Sequence, residues 1–159
     1  MYGTTYYGGA NGGGTVFELS PEGDGTWSES VSYSFGKQGP AVPYAGVIMD
    51  ATGNLYGTGG GYTYELSQGS SGWAVTNMQA LPAPLGGVIR DPTGSLYGTT
   101  FYGGGSKNCG GGCGTVYRLH LSLTAAGRRP SRTISQPGVT GHFRATGRSP
   151  WTSPAAYTA

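Results

Sequence analysis

Short apolar phrases recur along the first 119 residues, and glycines or turn-forming residues separate them. In one complete stretch, Gly-Val-Ile-Met at 46–49 is apolar and β-branched, Leu-Tyr-Gly-Thr at 55–58 follows a turn, and Tyr-Thr-Tyr-Glu-Leu at 62–66 alternates. After a polar loop at 67–72 comes a fourth phrase, Trp-Ala-Val-Thr-Asn at 73–77. Short β-branched runs and period-two alternation are typical of strands. The pattern therefore predicts four short antiparallel strands.

Helices are not predicted before residue 120. Gly (33 of 159 residues) and Pro (10) interrupt every window, and no apolar stripe with helical spacing survives them. Aromatic residues make up 12% of the chain, which is too many for a disordered one. We therefore predict an all-β fold, and the length favours a single domain.

The strand pattern repeats. Asp-Ala-Thr-Gly-Asn-Leu-Tyr-Gly-Thr at 50–58 returns as Asp-Pro-Thr-Gly-Ser-Leu-Tyr-Gly-Thr at 91–99, and Tyr-Gly-Thr-Thr at 2–5 repeats residues 97–100. Glycines and a strand-like phrase ending in leucine follow each copy, at Leu19, Leu66 and Leu119. A unit of about 40–50 residues with four short strands is typical of a propeller blade. Residues 1–120 are therefore predicted to form a partial, a full and a partial propeller-like blade.

Three blades make an incomplete ring, since closed propellers usually have about 4–8. Met1 also stands inside a repeat unit, directly before Tyr2. We therefore expect a longer parent protein that supplies the remaining blades. We also expect this chain alone to be marginally stable or prone to aggregate, because an open ring exposes strand edges and apolar faces.

Two aspartates occupy matching turns. In Asp50 to Gly53 and in Asp91 to Gly94, the Asp can bind its own backbone two residues on, and the Gly supplies a positive φ. The alternative is a catalytic carboxylate pair, which in glycosidases requires carboxyls within about 5–10 Å. Matching positions of two blades lie far apart, so we assign these four residues to structural turns. No serine nucleophile is paired with a histidine and an acid either, and the chain is not expected to be an enzyme.

Cys109 and Cys113 are the only cysteines, and glycines fill the space between them. In an exported protein this spacing favours a local disulfide, although free thiols remain an alternative. A zinc site with His120 or His142 would need four ligands at ordered spacing, so neither a metal nor another cofactor is expected. Glycine-rich loops lack the Lys-Ser/Thr ending and the following helix of a phosphate loop.

Residues 121–159 lose the strand pattern. They contain no acid and five arginines, whereas residues 1–119 contain all seven acids and four basic residues. We interpret 121–159 as a low-complexity basic tail that is disordered or translated out of frame. A shifted frame over residues 150–159 permits Asp-x-x-Gly-Ser-Leu-Tyr-Gly, the repeated motif at its own spacing. Nucleic-acid or membrane binding through the arginines is the weakest class, so no nucleic-acid partner is expected. Nothing approaches the roughly 20 apolar residues of a membrane span.

Four phrases within residues 1–119 match a known repeat in the right order: Leu-Tyr-Gly-Thr-Thr at 96–100, Tyr-Gly-Gly at 7–9 and 102–104, Gly-Thr-Val-Phe-Glu-Leu at 14–19 and Gly-Val-Ile-x-Asp-x-x-Gly-Asn-Leu-Tyr at 46–56. They resemble the GloVer tandem repeat of secreted or surface bacterial proteins of the choice-of-anchor type. The resemblance implies an extracellular or cell-surface repeat scaffold without catalytic residues.

The function expected from these features is a non-catalytic scaffold or recognition module whose ligand is a surface polymer or a protein. The alternative is part of a secreted carbohydrate-active or carbohydrate-binding propeller. Exposed aromatic side chains could stack on such a ligand, or they could instead fill the space between sheets. These residues are Tyr6, Tyr7, Trp27, Tyr62, Trp73, Phe101 and Tyr102.

Overall fold

The computed structural model describes residues 1–36, 42–105, 108 and 110–120. The predicted tail at 121–159 and its frame-shift explanation lie outside these residues. All regular structure in the described residues is β. The strands are β1 (Tyr2–Thr5), β2 (Thr15–Pro21), β3 (Trp27–Ser34), β4 (Ile48–Met49), β5 (Leu55–Gly59), β6 (Tyr62–Gly69), β7 (Gly72–Ala80), β8 (Ile89–Arg90), β9 (Leu96–Thr100) and β10 (Thr115–Leu119).

The strands form three antiparallel sheets in chain order. The first sheet contains β1–β3, the middle sheet β4–β7 and the last sheet β8–β10, and each strand pairs with its neighbours in sequence. None of the three sheets closes on itself. The predicted all-β fold of short antiparallel strands is therefore confirmed.

Strand boundaries differ from the prediction in the middle sheet. The polar stretch at 67–72 is mostly paired, with Ser67 opposite Ala74 and Gly69 opposite Gly72. Gly72 has a φ of 106°, which allows a two-residue turn to close this hairpin. The predicted strand at 46–49 is shorter, since only Ile48 and Met49 pair with β5.

The Tyr-Gly-Thr phrase has the same role in each sheet. Its glycine lies opposite an aromatic residue of the next strand, as Gly57 does opposite Tyr64 and Gly98 opposite Tyr117. The aromatic ring covers the glycine so closely that a Cβ on Gly98 would lie 2.3 Å from the Tyr117 hydroxyl oxygen. Gly3 meets Phe17 in the same way in the first sheet. The repeated glycine is thus required by the cross-strand ring.

Two apolar cores fill the spaces between sheets. Between the first and middle sheets, Phe35 packs against Tyr64 with ring centroids 5.1 Å apart. Between the middle and last sheets, Leu81 occupies the corresponding place in the core that contains Tyr117. The middle sheet is therefore covered on both faces, and burying each Leu or Phe side chain contributes about 1.5–3 kcal/mol.

The first and middle sheets and the middle and last sheets are joined by matching polar contacts. The Thr4 hydroxyl donates to the Ala45 carbonyl oxygen (3.1 Å), and the Thr58 hydroxyl donates to the Gly86 carbonyl oxygen (2.9 Å). Both carbonyls belong to the segment that enters the next sheet. The two sheet-to-sheet contacts of this chain are thus built from matching residues.

Candidate functional site

The Asp50 carboxylate organises the β4–β5 turn. Its Oδ1 accepts hydrogen bonds from the backbone N–H groups of Thr52 (2.9 Å) and Asn54 (3.0 Å) and from the Thr52 hydroxyl (2.7 Å). Its Oδ2 accepts one from the Tyr56 hydroxyl (3.0 Å). Gly53 has a φ of 87° and donates its N–H to the Asp50 carbonyl (3.1 Å).

Asp91 makes the matching contacts in the β8–β9 turn. It accepts hydrogen bonds from the Thr93 hydroxyl (2.6 Å), the Ser95 N–H (2.9 Å) and the Tyr97 hydroxyl (3.0 Å). Gly94 has a φ of 88° and donates to the Asp91 carbonyl (2.9 Å). Both carboxylates are thus engaged by their own turns.

These hydrogen bonds favour the ionised form of both aspartates. Burial by itself raises the pKa of Asp50, but the donors from Thr52, Asn54 and Tyr56 outweigh burial and lower that pKa to about 2. The Thr93 hydroxyl is the main cause that lowers the pKa of Asp91 to about 2. A carboxyl with so low a pKa is a poor general acid or base near neutral pH.

A second carboxyl lies near Asp50 in the middle sheet. Burial, and after it the negative charge of Asp50, raises the pKa of Glu65, while Tyr56 lowers it. Glu65 and Tyr56 are paired across β5 and β6, so their side chains share one face. This pair was not predictable from the sequence, because the register that joins the two residues is a property of the folded sheet. Two neighbouring carboxyls with opposite pKa shifts are one arrangement that acid–base chemistry uses.

In the last sheet a positively charged arginine stands at the position of that second carboxyl. Arg118 stands where β6 has Glu65, and its guanidinium lies 5.6 Å from the centre of the Tyr97 ring. Arg118 Nη2 also donates to the Ser95 hydroxyl (3.0 Å), which in turn contacts His120 Nδ1 (3.1 Å). The carboxyl pair is therefore not repeated in the last sheet.

Cys113 is disulfide-bonded. Cys109, the only other cysteine of the chain, lies outside the described residues, as does His142 of the alternative zinc site. Within the part of the chain that the structure describes, no group of three or more His, Cys, Asp or Glu side chains could hold a metal ion.

The glycine-rich loops after β1 and β9 are braced by backbone hydrogen bonds. Gly14 donates to Gly8 (3.1 Å), and Gly114 donates to Gly103 (3.0 Å) at the matching place. All four glycines have φ between 82° and 93°, a region that other residues rarely adopt. The side chains that these loops carry are consequently held by a defined backbone.

Aromatic side chains project from these two loops. Tyr6 and Tyr7 contact each other edge to face, with ring centroids 4.4 Å apart, and Phe101 and Tyr102 do the same at 4.9 Å. Tyr44, from the segment that enters the middle sheet, lies 5.5 Å from Tyr6. All five rings are exposed. We call Tyr6, Tyr7, Tyr44, Phe101 and Tyr102 the aromatic edge. All five lie beside the C-terminal ends of β1, β5 or β9, at the same end of the sheets.

Four of its members, Tyr6, Tyr7, Phe101 and Tyr102, were candidates from the sequence, whereas Tyr44 was not. Tyr44 joins the edge because its N–H donates to the Thr58 carbonyl (3.2 Å), which anchors the entering segment beside the loop. Trp73 instead fills the space between two sheets, since it packs against the core between the first and middle sheets.

An open groove of ≈ 270 Å³ lies on the last sheet, lined by Thr99, Thr100, Cys113, Gly114, Thr115 and Val116.

The described residues contain no helix with the length and apolar character needed to cross a bilayer. When the chain was compared with family models, curated proteins and solved structures, none of them matched it. The resemblance to the GloVer repeat therefore stays a prediction.

Proposed function

We propose that this protein is a non-catalytic extracellular β-repeat scaffold with propeller-like blades, and that its aromatic edge recognises a surface polymer. The observation that carries the proposal is the aromatic edge itself. Large apolar rings are normally withdrawn from water, yet five of them are exposed at one end of the sheets on hydrogen-bonded loops. Exposed rings held in fixed positions suit the flat apolar faces of sugar rings or similar polymer units.

The engagement of the acidic side chains supports a non-catalytic role. Asp50 and Asp91 serve their turns, and their low pKa values leave them ionised rather than ready to transfer protons. An extracellular location is supported by the disulfide bond of Cys113, because disulfides persist in oxidising compartments. The resemblance to a family of surface repeats points the same way.

Polymer binding can be measured by affinity gel electrophoresis, in which soluble polysaccharides are cast into the gel and retard a protein that binds them. The variant Tyr7→Ala/Tyr102→Ala removes one exposed ring from each loop. Each stacked ring contributes roughly 0.5–1.5 kcal/mol beyond its buried area, so the loss of two rings should weaken binding about 5- to 160-fold. Met49→Ala is the control, since Met49 is exposed but lies outside the aromatic edge. Equal retardation of the double variant and the control by every polymer that binds the wild type would contradict the proposal.

The alternative, a carbohydrate-active protein, draws on the carboxyl pair of Asp50 and Glu65. Their pKa values move apart, as expected of an acid (Glu65) that acts beside a carboxylate that stays ionised (Asp50). Reducing-sugar release from the same polysaccharides tests it, with Glu65→Gln as the variant. Release that Glu65→Gln abolishes would replace the scaffold proposal with an enzyme, whereas no release by the wild type would dismiss this alternative.

A further inference from the structure

The first and middle sheets each turn one face toward the next sheet along the chain. We call this the forward face, and the forward face of the last sheet is the one that carries the matching residues. The forward face includes Thr4 and Val16 in the first sheet, Thr58 and Thr63 in the middle sheet, and Thr99 and Val116 in the last sheet. The next sheet covers the first two of these faces, so that Val16, Thr58 and Thr63 are each 0% exposed. On the last sheet Val116 is 48% exposed and Thr99 is exposed as well.

The opposite face of each sheet is called its back face, and among the described residues it is uncovered only on the first sheet. Trp73 on the back face of the middle sheet meets Tyr2 edge to face, with ring centroids 6.2 Å apart, and packs against the first core. Trp27 is the first residue of β3 and matches Trp73, the second residue of β7. Trp27 is 57% exposed. Val31, which pairs with Phe17 on the same face, is exposed too.

We propose that the forward face of the last sheet binds the back face of the first sheet of a second copy of this chain. The structure already contains this contact twice, between the first and middle sheets and between the middle and last sheets. The open forward face carries residues that match the two covered forward faces, and the open back face carries residues that match the two covered back faces. Tyr97 would then meet Trp27 of the second copy as Tyr2 meets Trp73 within the chain.

Charge adds a second argument. The position that Arg118 holds on the last forward face is held by Glu18 and Glu65 on the other two. A positive charge thus stands where the other faces carry an acid. Glu29 pairs with Leu19 where Val75 pairs with Leu66, so an acid replaces the valine of the back face. The one open forward face has thus gained a positive charge and the one open back face a negative charge. Opposite charges on two faces that meet steer association and penalise incorrect pairings.

A contact between two different faces leads either to a closed ring or to an open filament. Two copies would contribute six sheets, which lies within the range of about 4–8 blades in closed propellers. Each copy would supply one forward and one back face to its partner, so both uncovered faces of both copies would be buried. We therefore expect a closed pair.

The experiment is sedimentation velocity of the full chain over a range of concentrations, in the wild type and in charge-reversed variants. Arg118→Glu introduces the residue that the other two forward faces carry, so the sheet should tolerate it. Arg118→Glu and Glu29→Arg should each weaken the dimer at least about tenfold, and the double variant should regain most of the affinity. Arg90→Glu is the control, because Arg90 is exposed in the last sheet but pairs with Leu96 on the opposite face.

The wild type should sediment with the mass of two copies at high concentration. A monomer at every concentration would overturn the proposal, and so would a dimer that neither charge reversal weakens. Larger open assemblies would overturn the closed pair. Circular dichroism melts establish that each variant is folded, and Thr99→Arg, a bulky charge at an exposed position of the forward face, replaces any charge variant that is not.

Discussion

Two buried tyrosines at matching positions differ in one hydrogen bond. Tyr117 lies in the core between the middle and last sheets, and its hydroxyl lies 3.3 Å from the Thr63 hydroxyl. Tyr64 lies in the core between the first and middle sheets and is 0% exposed, but its hydroxyl has no hydrogen-bond partner among the described residues. The position that Thr63 holds in β6 is held in β2 by Val16, which has no hydroxyl to offer.

The difference predicts opposite effects for the same substitution. A buried hydroxyl without a partner costs about 1–3 kcal/mol, and the small space left by removing its oxygen costs only a few tenths of a kcal/mol. Tyr64→Phe should therefore raise the free energy of unfolding by about 1 kcal/mol. Tyr117→Phe breaks a hydrogen bond and leaves the buried Thr63 hydroxyl without that partner, so it should lower the free energy of unfolding by about 1–2 kcal/mol.

Urea unfolding followed by tryptophan fluorescence measures both changes. Val16→Thr supplies the missing partner, so Tyr64→Phe should become destabilising when Val16→Thr is present. Equal destabilisation by Tyr64→Phe and Tyr117→Phe would contradict the expected difference, and so would an effect of Tyr64→Phe that Val16→Thr leaves unchanged. Such results would mean that the Tyr64 hydroxyl is already satisfied in solution.

Substitutions at a cross-strand glycine, at the Asp50 turn and at a hydrogen bond between sheets test three further features of the fold. Gly98→Ala should destabilise the fold by more than about 2 kcal/mol in urea unfolding, because the added Cβ would displace the Tyr117 ring, whereas Gly23→Ala at an open position should cost less than about 1 kcal/mol. The pKa of Asp50 is lowered on folding, so its contribution to stability is complete above about pH 5 and is lost as pH falls from about 4 to 2; Asp50→Asn should flatten this part of the pH–stability curve. Thr58→Val should lower the melting temperature, because the Gly86 carbonyl loses its donor, while Thr76→Val at an exposed position of β7 should leave it almost unchanged.

The strands were the most predictable part of the fold. Glycine and turn residues separate short alternating phrases, and local backbone preferences suffice to predict the four strands of the middle sheet. The hairpin of β6 and β7 was less predictable, because pairing extends into the polar residues 67–69 once Gly72 closes the turn. Gln68 and Gly69 are both exposed, so no alternation of apolar and polar residues marks this end of the strand.

The candidate site was predictable only in part. The aromatic residues of the loops were visible as exposed candidates, because rings beside glycines have little local packing. Their grouping with Tyr44 was not, since the segment from 42 to 46 reaches the loop after β1 only through the packing of one sheet on the next. The approach of Glu65 to Asp50 likewise needs the β5–β6 register.

The sequence by itself determined the repeated unit: an Asp-Gly turn, a Tyr-Gly-Thr strand and an aromatic residue in the next strand. These features depend on local backbone geometry and on pairing between neighbouring strands, which short segments encode. Only the tertiary structure decided which faces are covered, because matching phrases give a buried Val16 in one sheet and an exposed Val116 in another. Burial depends on what packs against a face, and that is set by the order of the sheets rather than by the phrase itself.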